Sequence, residues 1–327
     1  MQPLQFQPIL KQIRWGGRRL GTVLGKPIGD ASDYAESWEI ADCGADQTTV
    51  TAGPFRGWSL ARLVSQEGAA LFGRDRRREH FPLLIKFLDC NDRLSVQVHP
   101  NDEQAQRMGR GSNGKTEAWV ILDAQPGSRI FAGLKPGVNR QSLEQHLNAG
   151  TVEECLHSFP ARRGDCVFVP AGTVHALGEG ILLAEIQQSS DVTFRLFDWG
   201  RLGTDGKPRP LHRAESLACI DFDRGPVDPV NPQVVTQQDE RTEELVRCDY
   251  FILRRRTFSR PLPLADDQGF HLLMPLAGEV DVRTGDFCKR IGLGDTLLVP
   301  AEATGTVVSP SDGATAGKAV FLETTVP

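Results

Sequence analysis

The sequence lacks the features that define several classes of protein. No apolar run approaches the roughly 20 residues that a helix needs to span a bilayer, so no membrane helix is expected. The N-terminal segment MQPLQFQPILKQIRWGGRR has no basic region followed by an apolar stretch and a small-residue cleavage site, and we expect no secretory signal. The net charge of −5 provides no basic excess for a phosphate backbone, which argues against nucleic acid as a partner. A small phosphorylated ligand, which needs only local cations, stays compatible with this charge.

Cysteine is also used sparingly and without pattern. The seven cysteines are odd in number, are dispersed along the chain and show no CxxC spacing. Such usage excludes a disulfide framework and a thiolate metal site as first interpretations. We expect reduced, mostly buried thiols in a cytoplasmic protein.

The segments that are present predict a mainly β protein. A chain of 327 residues is too long for one small core, and its length suggests two or three domains. Helical spacing of apolar residues predicts helices within 57–80 and 139–158, with Asn139 or Ser142 as a cap. Most of the remaining chain consists of short runs rich in Val, Ile, Leu, Phe and Thr between Gly, Pro and Asp, as in antiparallel barrels and sandwiches.

One sequence frame occurs twice. RRGDCVFVPAGTVHAL (162–177) and IGLGDTLLVPAEATGTVV (291–308) share Gly-Asp, an apolar run, Pro-Ala and a second strand. The Pro-rich polar segment 223–240 separates the two copies. We therefore predict a domain at 1–222, a linker at 223–240 and a second domain at 241–327.

The two copies differ at one position that could carry chemistry. The first copy resembles a sequence motif of the cupin barrel and has His175 at the start of its second strand, where the second copy has Gly305. We expect two cupin-type (jelly-roll) β-barrels, with a few helices inserted in the N-terminal half. The second barrel has no histidine at this turn, and the one histidine in its sequence, His271, begins a strand with no obvious partners. We interpret that barrel as structural, either a cover or an oligomer surface.

Four polar residues of the first domain predict a metal site. Gln97 and His99 are two residues apart in a strand and therefore share a face, while Val96 and Val98 face a hydrophobic layer. An amide and an imidazole are costly to bury without partners. Together with Glu117 and His175 they offer two oxygens and two imidazole nitrogens, which suit zinc or another divalent ion. The alternative is four separately hydrogen-bonded core residues, which requires four coincidences instead of one site.

Several longer segments resemble the class I mannose-6-phosphate isomerase family in its short bacterial form. They cover most of residues 10–201, and beyond residue 223 the resemblance is much weaker. The segments are IRWGGRRL (13–20), ESWEIAD (36–42), PLLIKFLDCNDRLSVQVHPNDEQA (82–105), GKTEAWVIL (114–122) and RRGDCVFVPAGTVHALGEGILLAEIQQSSDVTFRLFDWGR (162–201).

The resemblance implies a metal-dependent enzyme, usually with one zinc, that interconverts mannose 6-phosphate and fructose 6-phosphate. It implies His99, Glu117 and His175 as metal ligands, with Gln97 as an additional or weaker one. It also implies Arg195 as an active-site residue and Lys115 as a neighbour of the bound sugar phosphate. A lysine two residues before Glu117 should share its face and reach a phosphate or a developing oxyanion. The guanidinium of Arg195 suits two-point binding of oxyanions.

Other functions stay open at this point. The cupin frame alone permits a different metal enzyme, such as an oxygenase or the unrelated cupin type of glucose-6-phosphate isomerase. A sugar-phosphate-binding regulatory protein without turnover is a third possibility. The general base is not readable, since Glu185, Asp102, His99 and Lys115 all lie in plausible segments. The chain is expected to be a monomer or a homodimer.

Overall fold

The computed structural model describes residues 1–75, 78–109, 113–202, 206–237, 240–311 and 318–327, and the side chains of residues 75, 236 and 237 are left out. Strands dominate these residues, and the α-helices among them fall between residues 19 and 219. The predicted mainly β architecture is confirmed; the helices at Arg19–Thr22, Leu60–Phe72, Asp102–Arg107 and Arg140–Ala149 lie in the N-terminal half of the chain, and the helix at Arg213–Cys219 lies beyond it. No helix within the described ranges is long and apolar enough to cross a membrane.

The N-terminal part of the chain contains fifteen strands among the described residues. They are β1 (Phe6–Gln7), β2 (Ile9–Gly17), β3 (Tyr34–Ile40), β4 (Asp42–Cys43), β5 (Asp46–Gln47), β6 (Thr49–Val50), β7 (Leu83–Cys90), β8 (Val96–Val98), β9 (Glu117–Ala124), β10 (Arg129–Leu134), β11 (Leu156–Pro160), β12 (Cys166–Val169), β13 (His175–Leu177), β14 (Ile181–Gln188) and β15 (Phe194–Phe197). The helices are α1 (Arg19–Thr22), α2 (Leu60–Phe72), α3 (Asp102–Arg107), α4 (Arg140–Ala149) and α5 (Arg213–Cys219), with 3-10 turns at Gly73–Asp75 and Val152–Cys155.

Eleven of these strands form the two main sheets of the first barrel, and the pairs β1-β6 and β4-β5 form two small sheets. One sheet has the order β11-β10-β13-β8-β15 and the other has the order β12-β9-β14-β7-β3-β2. A single buried cluster joins them, with Ile130 and Leu177 from the first sheet and Trp119 and Val167 from the second. The sheets therefore pack face to face around a closed core, as in a jelly roll.

The two predicted helical segments are confirmed and begin at the residues that their caps dictate. Helix α2 starts after Ser59, whose hydroxyl accepts a hydrogen bond from the backbone of Arg62, and it buries Leu60, Leu63 and Val64. Helix α4 starts after Asn139, whose side chain accepts from the Ser142 amide at 3.0 Å. A short side chain that satisfies a free N–H is the usual reason for a helix to begin there.

The C-terminal part forms two more sheets. Its strands are β16 (Gln233–Gln237), β17 (Glu240–Arg247), β18 (Ile252–Phe258), β19 (Leu262–Pro263), β20 (His271–Ala277), β21 (Val280–Thr284), β22 (Phe287–Ile291), β23 (Leu297–Val299), β24 (Val307–Pro310) and β25 (Ala319–Thr325). The sheet orders are β16-β17-β18-β25-β20-β23 and β19-β24-β21-β22, with a shared core that includes Phe258, Phe321, Val282 and Val308.

The division into domains at 1–222, 223–240 and 241–327 stays a prediction. In its favour, the four larger sheets take their strands from either side of the segment 198–232 and never from both. Strand β16, however, lies inside the predicted linker and pairs with β17, so the second sheet system begins before residue 241. Residues 238 and 239 of that linker lie outside the described residues.

The repeated frame produces the same turn in both halves. Gly164 and Gly294 have φ values of +91° and +91°, and each precedes a short buried strand that ends at a proline. A left-handed φ of this size is accessible to glycine at little cost and strains other residues. The turn geometry is thus kept in the second barrel.

The prediction that His271 lacks partners is wrong. In the second barrel its Nδ1 atom lies 2.8 Å from Oε1 of Glu323, and Arg256 donates to the same carboxylate at 2.7 Å. The buried carboxylate of Glu323 is thus paired with His271 and Arg256, which belong to the same barrel. Sequence spacing could not show this because His271 and Glu323 meet only through the pairing of β20 with β25.

Candidate metal centre and active site

Three of the predicted metal ligands meet in the first barrel. His99 follows β8, Glu117 is the first residue of β9 and His175 is the first residue of β13. Their ligand atoms all lie within 4.8 Å of one another, and all three side chains are buried. The fold therefore brings the three residues to one place, where they could hold a metal ion.

Backbone carbonyls fix both histidine rings. The Nδ1 atom of His99 lies 3.0 Å from the carbonyl oxygen of Val192, and Nδ1 of His175 lies 2.9 Å from that of Thr173. A carbonyl oxygen can only accept, so each Nδ1 carries the proton and each Nε2 presents a lone pair. Both Nε2 atoms face Glu117, at 3.7 Å from Oε2 for His99 and at 3.4 Å from Oε1 for His175. This is the arrangement in which outer hydrogen bonds orient imidazole ligands toward a metal.

The donor atoms themselves are poorly satisfied by protein groups. Oε1 of Glu117 and Nε2 of His175 are buried and make no hydrogen bond, while Oε2 of Glu117 and Nε2 of His99 contact the ammonium of Lys115 at 2.8 Å and 3.3 Å. Buried polar atoms of this kind are rare in folded proteins and call for a partner. Two imidazoles and one carboxylate around a single point suit a divalent cation, and zinc in particular. The residues present therefore fit the implied metal.

Burial and nearby charges shift the pKa values of the three groups in the direction that metal binding needs. Burial, and then the ammonium of Lys115, lower the pKa of His99 to about 3, and burial lowers that of His175. Burial alone would raise the pKa of Glu117, but Lys115 and His99 hold it well below its usual range. Two neutral imidazoles and an ionised carboxylate are the forms that bind metal.

Gln97 and Arg195 extend the site along one sheet. In the register of the three adjacent strands β13, β8 and β15, His175 pairs with Gln97 and Gln97 pairs with Arg195. Direct partners in an antiparallel pair point to the same face. The three side chains therefore form a row that runs from the histidine ligand to the guanidinium.

Lys115 connects the metal ligands to a second row of charges. Its Nζ atom lies 2.8 Å from Oε2 of Glu117 and 3.8 Å from Oε1 of Glu185. Lys86 lies 3.4 Å from the same Glu185 oxygen and 3.5 Å from Oε2 of Glu36. Four of these five side chains are almost fully buried, with Glu36 at 15 % exposure. The sequence prediction that Lys115 and Glu117 share a face agrees with this geometry.

A cavity of about 250 Å³ opens onto both rows. Gln97, Lys115 and Arg195, all named from the sequence, line it. Its wall also contains charged residues that the sequence analysis did not place: Glu36, Lys86, Asp191 and Arg209. Lys86 had a visible signal, since it is a charged residue within the apolar run PLLIKFLD, and in the structure it pairs across the sheet with Glu185.

The four candidate bases are placed very differently. Both oxygens of Asp102 accept hydrogen bonds, from Gly114 and Gln188 on one side and from Tyr250 on the other. The unprotonated Nε2 of His99 lies 3.3 Å from Nζ of Lys115 and 3.7 Å from Oε2 of Glu117. Glu185 lines the cavity, has one oxygen without a hydrogen bond, and has a pKa that burial raises. The geometry therefore favours Glu185 and Lys115 as the groups that could move a proton.

Comparison with known proteins shows the family of the chain. The family model for the phosphomannose isomerase type I catalytic domain matches residues 3–124. The mannose-6-phosphate isomerase ManA of Bacillus subtilis (strain 168) is 36% identical over 304 residues, which are 91% of this chain and 93% of that protein. The chain belongs to the mannose-6-phosphate isomerase family. The resemblance inferred from the sequence segments is thereby confirmed.

Solved structures of the isomerase family share the fold. The crystal structure of the mannose 6-phosphate isomerase from Bacillus subtilis superposes with a TM-score of 0.89 at 27% identity and covers 99% of each chain. A mannose 6-phosphate isomerase bound with zinc and yttrium gives a TM-score of 0.74 at 15% identity and covers 98% of this chain and 99% of that one. These matches confirm the predicted barrel architecture over the full chain.

Proposed function

We propose that the protein is a metal-dependent aldose–ketose isomerase that interconverts mannose 6-phosphate and fructose 6-phosphate through an enediol. The observation that carries the proposal is the joining of a buried His-Glu-His group to Glu185 through Lys115, beside a cavity lined by arginines. The relatives named mannose-6-phosphate isomerase, at 36% and 33% identity over 91% of the chain, support the same substrate.

The metal that we propose is one Zn²⁺ per chain, held by His99, Glu117 and His175, with Gln97 as a fourth ligand. The mixed nitrogen and oxygen set is typical of a catalytic zinc site, which keeps a coordination position for substrate. Bound there, the ion supplies Lewis-acid stabilisation of negative charge on the sugar oxygens. The zinc seen in a distant relative of the same fold is in line with this choice.

We assign the movement of the carbon-bound proton to Glu185. Isomerisation removes a proton from one carbon of the sugar and returns it to the adjacent one, so one positioned base serves both directions. Burial raises the pKa of Glu185 and makes its carboxylate a stronger base. Trp119 donates to its Oε2 atom at 3.1 Å, which leaves Oε1 toward Lys115 and Lys86.

Lys115 and Arg195 are the catalytic and substrate-binding residues named from the sequence, and we keep both assignments. The Lys115 ammonium is held between Glu117 and Glu185 and is positioned to neutralise charge that develops on the enediolate. Arg195 lies in the row that begins at His175, and its buried Nε makes no hydrogen bond with protein. It is therefore available to the sugar oxygens or the phosphate.

Arg209 is the residue that we assign to the phosphate. Asp198 accepts from its Nε at 2.7 Å and so fixes a guanidinium on the cavity wall. Arg195 and Arg209 line the same cavity, and after burial Arg209 is the main cause that lowers the pKa of Arg195. Two like charges held together are stabilised by a ligand that carries the opposite charge.

The remaining assignments are finer proposals. We propose a cytoplasmic enzyme whose partner is a small sugar phosphate, with neither nucleic acid nor membrane as a partner, and which works as a monomer or a homodimer. The free state of all seven thiols in the structure is in line with a reducing compartment.

Turnover with and without a chelator tests the function. Purified protein incubated with mannose 6-phosphate should form fructose 6-phosphate, lose this activity after chelation and regain it on addition of Zn²⁺. Binding of the sugar phosphate without turnover would identify a regulatory protein instead. Absence of both turnover and binding would point to another metal-dependent enzyme of the same fold.

A further inference from the structure

A tyrosine of the C-terminal half reaches the segment that carries the metal ligands. Tyr250 lies between β17 and β18, and its hydroxyl donates to Oδ2 of Asp102 at 2.9 Å, across 148 residues of sequence. Asp102 is the first residue of α3, three positions after His99. The ring of Tyr250 packs against the large core cluster that contains residues of both halves. The hydrogen bond is therefore a fixed contact between the second barrel and the edge of the site.

The other oxygen of Asp102 holds the strand that carries Lys115 and Glu117. The backbone N–H of Gly114 donates to Oδ1 at 2.6 Å, and the Gln188 amide donates to the same atom at 2.9 Å. Gln188 in turn accepts from the backbone N–H of Thr116 at 2.8 Å. One carboxylate thus fixes residues 114 and 116, which flank Lys115 and precede Glu117.

The strand start is also laid directly on the His99 segment. The backbone N–H of Lys115 donates to the carbonyl of Pro100 at 3.0 Å. A Cβ atom added to Gly114 would lie 2.5 Å from the backbone of Pro100 and Asn101, so the two segments are in close contact. A shift of Asp102 would therefore move His99 relative to Lys115 and Glu117.

We propose that Tyr250 is a positioning residue for the isomerisation and that it acts through Asp102 on Lys115 and Glu117. This inference rests on the proposed function of the site. The second barrel is then a part of the catalytic unit and not only a cover. A hydrogen bond from a neutral donor to a carboxylate is among the stronger ones in proteins. Errors of about 1 Å in the placement of a reacting group are enough to lower a rate about a hundredfold.

The hydroxyl stays a donor throughout the neutral range. Burial, and then the hydrogen bond to Asp102, raise the pKa of Tyr250 to about 12. The contact consequently works as a constant tether and adds no pH dependence of its own near neutrality.

The test is Tyr250→Phe, compared with Tyr34→Phe as the matched control. Tyr34 is the chain's other tyrosine, and its hydroxyl accepts from the backbone of Gly29, away from the cavity wall. We expect Tyr250→Phe to lower kcat about five- to tenfold, with KM within about twofold and full zinc content. Tyr34→Phe should keep the wild-type kcat. A Tyr250→Phe variant with wild-type kcat would overturn the proposal.

A double-mutant cycle with Asp102→Ala tests the route. If Tyr250 acts through Asp102, removing its hydroxyl in the Asp102→Ala background should change kcat by less than about twofold. An undiminished effect in that background would overturn the route through Asp102. Should Asp102→Ala not fold, the split between kcat and KM in Tyr250→Phe decides.

Amide hydrogen exchange gives a readout that does not depend on turnover. The N–H groups of Gly114 and Thr116 should exchange at least about tenfold faster in Tyr250→Phe than in wild type or Tyr34→Phe. Unchanged exchange would overturn the proposal even in a protein without isomerase activity. Absence of wild-type turnover, by contrast, would overturn the proposed function and leave the exchange result to decide on Tyr250.

Discussion

The ammonium nitrogen of Lys115 lies 2.8 Å from Oε2 of Glu117, and both side chains are buried. The same ammonium lies 3.8 Å from Oε1 of Glu185. A cation so placed contacts the proposed metal ligand Glu117 on one side and lies near the proposed base Glu185 on the other. Lys115 therefore lies between the proposed metal site at Glu117 and the proposed proton-transfer group Glu185.

Replacement of Lys115 by Met should therefore separate metal binding from turnover. The variant removes the charge that neutralises the developing oxyanion, and we expect kcat to fall by about a hundredfold or more. Glu117 and the histidines remain, so zinc content should stay at the wild-type level. Steady-state kinetics and metal analysis of one preparation measure both. A kcat within about threefold of wild type would contradict the role assigned to Lys115.

Arg195 and Arg209 should differ in what their removal changes. Arg195 lies in register with Gln97, next to the metal ligands, and Arg195→Ala should lower kcat far more than it raises KM. Arg209 is held by Asp198 on the cavity wall, and Arg209→Ala should raise KM about tenfold or more with kcat nearly unchanged. An unchanged kcat with a raised KM in Arg195→Ala would assign that residue to binding instead.

Gly114 should be intolerant of a single methyl group. Its Cβ would lie 2.5 Å from the carbonyl oxygen of Pro100, so Gly114→Ala must separate the Lys115 strand from the His99 segment. We expect weaker zinc retention and a kcat lowered by about tenfold or more. Gly292→Ala is the matched control, because its Cβ would meet nothing closer than 3.5 Å. Equal behaviour of the two variants, measured by zinc content and kcat, would contradict this coupling.

The second barrel should lose stability in alkaline solution. Burial opposes the charge on His271, but Asp267 and Glu323 outweigh it and raise the pKa to about 9. Because this value exceeds that of an unfolded histidine, about 6.5, the contribution is fully present below pH 6.5 and is lost as pH rises through about 9. Its size is on the order of 3 kcal/mol.

Denaturation of wild type and His271→Gln at pH 6.5 and pH 9.5 checks this. The free energy of unfolding of wild type should fall more between the two pH values than that of the variant. Arg256 still donates to Glu323 in the variant, so the buried carboxylate keeps one cationic partner. The same pH dependence in both proteins would contradict a charged His271.

The sequence predicted that the proposed metal ligands His99, Glu117 and His175 lie together, because each follows from a local rule. His99 follows a short strand with alternating burial, Glu117 begins a strand that is an apolar run, and His175 follows a turn defined by Gly164 and Gly172. Both glycines have φ above +80°, which few other residues adopt, so this turn could be recognised from the sequence alone. The resemblance to a known family then added Lys115 and Arg195.

What the sequence did not show depends on strand order. Lys86 joins the site because β7 lies next to β14, and it then pairs with Glu185, 99 positions away in the chain by residue number. Tyr250 reaches Asp102 over 148 residues. The Pro-rich composition of the predicted linker also could not reveal that residues 233–237 add an edge strand to the six-stranded sheet of the second barrel. Contacts of this kind are set by tertiary packing and leave no periodic trace.

The most direct test of the central claim is the metal content of protein purified without added zinc, measured beside its turnover of mannose 6-phosphate. Wild type should hold about one zinc per chain. His175→Gln should retain less than about a tenth of that and lose activity in proportion, since a ligand is removed. His271→Gln, which changes a buried histidine of the second barrel, should match wild type in zinc content and in turnover. A wild-type preparation free of metal yet fully active, or a His175→Gln variant that binds zinc as wild type does, would contradict the account.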